Sequence, residues 1–501
     1  MGKDDVVNLA LRRSLFFPSA EIYSSAPSGF WDFGPFGHRI RRKIVDFWRK
    51  EFVEKEGFLE ISGAQILPRD VFKASGHLDN FNDPVVRCRK CQSVFRADQL
   101  ISEATSAVVP ESISTPEFDA LIKKHKLRCP SCKAIDFDET KKFNMMMKLD
   151  IGATGKQEAY LRPETCQSIF LAFDRLYKTM RQQLPLGIAQ SGASFRNEIS
   201  PRNTLLRERE LGQMEIEVFF NPLKENEVEK WESVKDYKLR LLRLKEKNVK
   251  EYSCMESVDK KIVSSRLVAY LLCRTQQFYA KLGVPLPLMR FRELEQEARA
   301  FYAKETWDFE VETSLGWVEL AACNHRSDYD LKSHSAVSKH DHQIKDLETG
   351  KEFFPNVFEI SAGLDRSLFV LLDVSLKKEK RGPEERIFLS LNPSIAPYVA
   401  GVFPLVNKDG LNEKAREVFG LLKDEDFDVF FDDKGSIGKR YARGDEIGVF
   451  GGITVDYDSM KDGTVTFRFR DSMAQERVKI ADLPVFLKKA VKDYFSTPMR
   501  K

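Results

Sequence analysis

No apolar run in this chain approaches the roughly 18 residues needed to cross a bilayer. The longest, such as LFVLLDV, is short and flanked by charge. The start MGKDDVVNLALRRS lacks the apolar centre of a signal peptide, and Val6 stands where the myristoylation pattern asks for Ser or Thr. No membrane is expected, and a soluble, cytoplasmic protein is. There is no repeat of solenoid period, no Walker A loop, no dinucleotide fingerprint and no nucleophile elbow. Charge of one sign is also lacking: 80 basic against 76 acidic residues leave a net +4, which neither demands nor forbids nucleic acid. What is present suits a packed protein. With 42% hydrophobic residues, 31% charged and 38 Phe in 501 residues, the chain can bury several cores. Disorder is excluded, and at roughly 150 residues per domain about three domains are expected.

Apolar residues recur at helical spacing through RIRRKIVDFWRKEFVEKEG, predicting an amphipathic helix from Arg39 to a stop at Gly57. FLEISGAQILP reads as a strand closed by Pro68. Between Asp83 and Phe143 two CxxC pairs sit in Ser/Thr/Pro-rich filler, the texture of an insertion with its own small fold. From Asn221 to Gly283 the chain is strongly charged and reads as helical. After KKEKRGPEER, Pro393 and Pro397 mark a boundary. The remainder alternates strand-like runs (DVFFDD, GITVDYD, TVTFRFRD) with helical ones, an α/β pattern.

Cysteine is scarce, eight in all, and four are paired. Cys88 and Cys91 form one CxxC, Cys129 and Cys132 another, with 37 residues between the pairs. Two such knuckles can complete a tetrahedral four-thiolate site. Without an export signal, zinc is favoured over disulfides or unrelated thiols. A closed four-cysteine site keeps no open position, so the Zn²⁺ would be structural. Four of the seven His (His325, His334, His340, His342) fall in NHRSDYDLKSHSAVSKHDH, which suits a second metal site or a polar surface loop.

Arg and Glu are dense in strand-like contexts, above all SFRNEISPRNTLLREREL followed by GQMEIEVFF. Alternation puts Gln213, Glu215 and Glu217 on one sheet face, with Met214 and Ile216 on the other. Enclosed Arg and Glu are costly unless they pair with each other or with a charged ligand. A solvated, salt-bridged edge hairpin is the plainer reading.

At these residues the sequence resembles the glycyl-tRNA synthetases of the archaeal and eukaryotic type, a class II family, from roughly Leu15 to the C-terminus. AEIYSSAPSGFWDFGPFGHRIRRKI is similar to the family's opening segment. The helix that follows, through ILPRDVFKASGH, resembles motif 1 (near 40–77), with Pro68 as its dimer-interface proline. VRCRKC, FRADQL and YLRPETCQSIF come in the family's order. SFRNEISPR to MEIEVFF resembles motif 2 (near 194–220), and FPNVFEISAGLDRSLFVLL motif 3 (near 354–372). WVELAACNHRSDYDLKSH is similar to the glycine-pocket segment, and DDKGSIGKRYARGDEIGVFGGITVDY to the anticodon-binding domain.

The resemblance implies an α/β (α+β) fold: a class II antiparallel sheet flanked by helices over 1–82 and 144–391. It also implies a zinc-ribbon-like insertion over 83–143, a helical insertion over 221–283 and an α/β anticodon-binding domain over 392–501. It further implies a homodimer that joins glycine, ATP and tRNA-Gly. Arg196 would hold the α-phosphate and Arg366 the γ-phosphate of a bent ATP; Arg207 would help with the outer phosphates and Glu198 with the adenine amino group. Glu319 would hold Mg²⁺ against the phosphates, and Asn197, Glu208, Leu211, Leu320 and Gly363 complete the ATP set. Glu164, Glu215, Glu359 and Ser361 would surround the substrate ammonium. Arg326 would take its carboxylate, with Arg96 bordering the site.

Three positions depart from the pattern. Leu211 replaces a Phe that stacks on adenine, GVFGGITVDY replaces a Thr-Pro turn, and Cys166 and Ser168 replace small Ala and Gly beside Glu164. The segment from Asn392 to Lys501 holds 18 basic and 18 acidic residues, so tRNA as partner rests on the resemblance and not on charge. Two rivals remain at this point. One is another class IIa synthetase, against which the crowding by Glu164, Glu215 and Glu359 argues. The other is a synthetase-like accessory subunit of a polymerase, which would be expected to lose the ATP-gripping arginines.

Overall fold

The computed structural model describes residues 3–496 except 106–108, 110–112, 156, 200, 202–203, 297–298, 301 and 382–383. Its centre is a nine-stranded sheet, whose strands in chain order are β1 (Leu59–Glu60), β2 (Leu186–Phe195), β3 (Glu210–Phe220), β4 (Lys238–Leu242), β5 (Lys250–Ser253), β6 (Met289–Glu293), β7 (Glu305–Thr313), β8 (Gly316–Ser327) and β9 (Asn356–Gly363). They lie side by side as β5-β4-β6-β7-β8-β9-β3-β2-β1. Only β1 with β2 and β4 with β6 run parallel.

Period-two alternation on the middle strands makes the sheet two-faced. Met214, Ile216, Val218, Ile360, Cys323, Trp307 and Phe309 form one face and are buried. Helices α1 (Pro35–Trp48), α2 (Arg266–Leu282) and α3 (Leu364–Ser375) supply buried residues to the same core. The predicted helix at 39–57 is α1 continued by a π-helical turn at Arg49–Glu54. Ile40, Ile44, Trp48 and Phe52 keep one buried stripe across the change. Gly57, at φ +72, is left-handed where the segment ends. The strand read through FLEISGAQILP is two short strands, β1 and Ile66–Pro68.

The helical reading of 221–283 is corrected for its first half. KWESVKDYKLRLLRLKEKNVK forms a 3₁₀ turn at Trp231–Ser233 and then β4 and part of β5. The period is two: Leu239 and Leu241 are buried while Lys238 points out and Arg240 reaches Glu251 at 2.8 Å. These strands extend the central sheet and α2 packs in its core, so the segment is packed into that body.

Residues 82–144 build a three-stranded sheet ordered Val94–Arg96, Asn82–Arg87, Lys141–Asn144. Helices Ala97–Thr105 and Thr115–Lys124 join it over a core of Val86, Leu100, Ile101, Phe118 and Ile122. The C-terminal part is a five-stranded sheet whose first three strands (Val429–Phe431, Ala400–Pro404, Gly451–Val455) are parallel. Helices Leu411–Asp424, Ile437–Glu446 and Leu483–Ser496 accompany it, with a separate core. Among the described residues no helix is long and apolar enough to cross a membrane.

Candidate active site

The second face of the sheet is polar. Cross-strand register sets Gln190 and Ser361 beside Glu215, Glu359 beside Glu217, and Asn324 beside Glu359. Gln190, Glu215, Glu217, Glu359 and Asn324 are all buried. Polar groups on a covered sheet face must be satisfied by one another or by a ligand.

Glu164, Cys166 and Glu359 bring one carboxylate or thiol atom each within 4.8 Å of one another. Ser361 Oγ and Thr165 Oγ1 each donate to Glu215 at 2.5 Å. Asn324 Nδ2 donates to Glu359 at 2.5 Å, and His77 Nε2 lies 3.1 Å from Glu164. The carboxylates differ in charge state. Burial would raise Glu164, yet His77 and Arg326 hold it below the ordinary carboxylate range. Burial and Glu164 push Glu215 up. Burial, against the pull of Arg326, pushes Glu359 up to about 7. Burial and Glu359 hold Glu217 well above the ordinary range, and neither of its oxygens has a hydrogen-bond partner among the described residues. The cluster is short of cations.

Arg326, expected to face a substrate carboxylate, is instead fully buried. Nε and Nη2 donate to Asp330 at 2.7 and 2.8 Å, Nη1 donates to Glu359 at 2.8 Å, and the guanidinium lies 3.6 Å from the Tyr302 ring centre. Two carboxylates that fill all three of its nitrogens claim a guanidinium more cheaply than an outside anion could. Arg162, which the sequence reading passed over, is also buried, donating from Nε to the Ala193 carbonyl and from Nη1 to Gly63. Its Nη2 enters neither bond and lies where a Cβ on Gly192 would stand 2.4 Å away. Besides Arg162, the residues that reading missed are His77, Thr165, Gln190, Asn324 and Asp330.

Arg196 and Arg366, expected to hold ATP phosphates, lie at one sheet end. Arg196 follows β2, Arg366 lies in the first turn after β9, and β3 pairs with both strands. Two strand spacings of about 4.8 Å separate their origins. Arg196 Nε donates to the Pro163 carbonyl at 3.1 Å, and Asn197 N donates to the Met145 carbonyl at 2.8 Å. Arg366 bonds the carbonyls of Leu206 and Glu319 at 3.2 and 3.3 Å, with the Glu319 carboxylate 3.4 Å away. Glu198 and Arg207, assigned to different parts of ATP, are an ion pair of 2.6 Å. Glu208 is buried beside Asp365, which together with burial raises its carboxyl well above the ordinary range. Gly363 caps α3, Leu211 is half-buried opposite Ser194, and the Leu320 side chain is in the core. Arg96, expected beside the glycine groups, pairs with Asp98 (3.1 and 2.8 Å) and Asp83 (2.9 Å). Asp83 in turn lies 3.7 Å from Arg207, so these pairs lead to the Arg207–Glu198 pair. A cavity of about 430 Å³ opens between this small sheet and Asn197, Glu198, Ile199 and Arg209.

The four paired cysteines converge. Cys88–Cys132 and Cys91–Cys129 Sγ atoms are 3.6 Å apart, and all four lie within 4.8 Å of one another. A zinc tetrahedron with bonds of about 2.3 Å has sulfur–sulfur edges of about 3.8 Å, so the donor set fits. The two knuckles share one turn: Gln92 and Lys133 have φ of 61 and 63, and donate to the carbonyls of Cys88 and Cys129. The histidines of 325–342 do not converge: among the described residues they enter no ligand group of three or more. His334 bonds Gln167, and His325 meets Phe220 edge-on.

A two-faced antiparallel sheet, arginines at one end and a separate C-terminal α/β unit define a class II aminoacyl-tRNA synthetase. Residues 148–375 match the family model described as tRNA synthetase class II core domain (G, H, P, S and T), and residues 400–490 match the anticodon binding domain. The glycine–tRNA ligase of Methanocaldococcus jannaschii is 37% identical over 98% of this chain and 99% of its own. That of Pyrococcus horikoshii is 37% identical over 97% and 98%, and that of Methanothrix thermoacetophila 35% over 95% of each. The chain belongs to the glycine–tRNA ligase family.

Proposed function

We propose that this chain activates glycine with ATP and transfers it to the 3′ end of tRNA-Gly. The buried, cation-poor cluster of Glu164, Glu215 and Glu359 supports this reading most. A primary ammonium has three N–H donors and suits three converging carboxylates. Crowded acids leave little tolerance for a side chain. In the first step a glycine carboxylate oxygen attacks the α-phosphorus and pyrophosphate leaves; in the second a tRNA ribose hydroxyl attacks the glycyl carbonyl and AMP leaves. Arg196, Arg207 and Arg366 are guanidinium forks for the phosphates, where placement and cationic stabilisation carry the rate. Arg162 meets the amino-acid carboxylate, while Arg326 orients Glu359. Glu198 reads the adenine amino group through Oε1, while Oε2 keeps its pair with Arg207.

Mg²⁺ arrives with ATP, and Glu319 suits it: its side chain is 43% exposed and faces Glu310 across the strands. A Mg²⁺ held there would neutralise phosphate charge. A structural Zn²⁺ in the four-thiol centre, a homodimer through the segment around Pro68, tRNA read by residues 392–501, and a cytoplasmic site of action complete the proposal.

ATP–pyrophosphate exchange across the amino acids tests it. Glycine alone should support exchange. Exchange with Ser, Thr, Pro or His instead would assign a sister synthetase, and silence with all of them an accessory role.

A further inference from the structure

The insertion and motif 2 are joined by a run of charges, of which the reaction scheme above uses only Arg207 and Glu198. Asp83 and Arg96 stand on the two strands of one hairpin, Asn82–Arg87 and Val94–Arg96. The turn of that hairpin is the Cys88–Cys91 knuckle. Arg96 is buried and has three nitrogens engaged: Nε and Nη2 on Asp98, and Nη1 on Asp83 at 2.9 Å. That pair fixes Asp83, 1% exposed, with its other oxygen 3.7 Å from Arg207 Nη2. Arg207 gives Nε to Glu198 at 2.6 Å, and its Nη1 enters neither pair. The root of the hairpin is tied to the same loop: Met145 N donates to the Phe81 carbonyl and Asn197 N to the Met145 carbonyl.

We propose that Asp83 is a positioning residue for Arg207, and that the four-thiol centre holds Asp83 in place through the hairpin it closes. Rigid strands transmit the geometry. The hairpin is three to six residues long on each side, and bends little when its turn is pinned at Cys88 and Cys91 and bridged to Cys129 and Cys132. Two acids then share one guanidinium, Glu198 along its Nε edge and Asp83 near Nη2. The fork is thereby oriented before nucleotide arrives, which spares the cost of ordering a long side chain on binding. Buried ion pairs are better attested as devices of specificity than of stability, and this one serves alignment. The inference rests on the proposed nucleotide role of Arg207.

The experiment compares Asp83→Asn, Asp83→Glu, Cys132→Ser and the Asp83→Asn/Cys132→Ser double variant. ATP affinity is measured by calorimetry, and exchange kinetics with ATP and glycine varied in turn. Asp83→Asn should weaken ATP binding on the order of tenfold, the scale of one charge-assisted hydrogen bond, with KM for glycine within about twofold. Asp83→Glu, which keeps the charge, should recover most of the loss. Cys132→Ser, remote from Arg207, should weaken ATP in the same way. The double variant should be no worse than the weaker single one, because both act through one element. Unchanged ATP affinity in Asp83→Asn overturns the role of Asp83. Losses that multiply in the double variant overturn the coupling to the thiols. A wild-type chain silent with glycine but binding ATP, with Asp83→Asn weakening that binding, would sink the substrate reading and leave this inference standing.

Discussion

The thiol of Cys166 donates to Glu164 Oε1 at 2.9 Å, inside the carboxylate cluster and fully shielded from solvent. Burial and the neighbouring Glu164 raise this thiol well above its usual range, so it acts as a neutral filler and weak donor and not as a nucleophile. Cys166→Ala removes one sulfur from the space beside Glu164. Glycine activation should persist, while discrimination against alanine, as the ratio of kcat/KM in exchange, should fall roughly tenfold or more, the scale of one methylene-sized change. An unchanged ratio would show that the thiol does not bound the pocket.

Glycine affinity should depend on pH through Glu359. Its carboxyl is pushed up to about 7 by burial, so in the free protein it is largely protonated at pH 6 and largely ionised at pH 8. An incoming ammonium needs the ionised form. Below pH 7 binding must therefore expel a proton, and affinity should fall up to about tenfold per unit of pH. Above that point the dependence should flatten. Exchange rates with glycine varied from pH 6 to 8.5 measure this, with KM for ATP as internal control. A level profile for glycine across that range would remove Glu359 from the ammonium site.

The alternation in QMEIEVF is legible because a two-faced strand leaves a period-two pattern in the sequence itself. The partners of the buried acids are not. His77 and Thr165 come from a short helix and a helix N-terminus, and tertiary packing alone brings them to Glu164 and Glu215. The same limit explains Arg326. A guanidinium near acids reads as a ligand group until Asp330 is found four residues on, filling its Nε and Nη2. The strands over 238–253 were hidden by Lys, Arg and Glu of high helix propensity, although Leu239 and Leu241 carry the two-residue period.

Two buried-to-half-buried arginines should behave oppositely on truncation. Arg366 bonds two backbone carbonyls and one half-exposed acid, so the ion-pair partner that Arg366→Ala leaves behind is open to solvent. Thermal stability should stay within about 1 kcal/mol of wild type, while exchange falls by ~10²-fold or more. Arg326→Met strands Asp330 and Glu359 without their counter-ion, and should cost ~3–5 kcal/mol of stability as well as glycine binding. Paired melting curves and exchange assays separate the two. Full exchange by Arg366→Ala would end its phosphate role; wild-type stability in Arg326→Met would show that the cluster does not need its cation.

The four-thiol geometry makes a claim about composition. Protein purified without added metal should carry one zinc per chain by elemental analysis, and Cys132→Ser should carry almost none. The 82–144 unit is small, resting on Val86, Leu100, Ile101, Phe118 and Ile122; cores of that size need a staple. Stripping the metal should therefore make this unit the first to be cut by protease, with cleavage falling between Arg87 and Asp138, while the central sheet with its separate core stays intact. A metal-free protein whose 82–144 unit resists protease as well as the loaded form would show that the thiols converge without a structural ion.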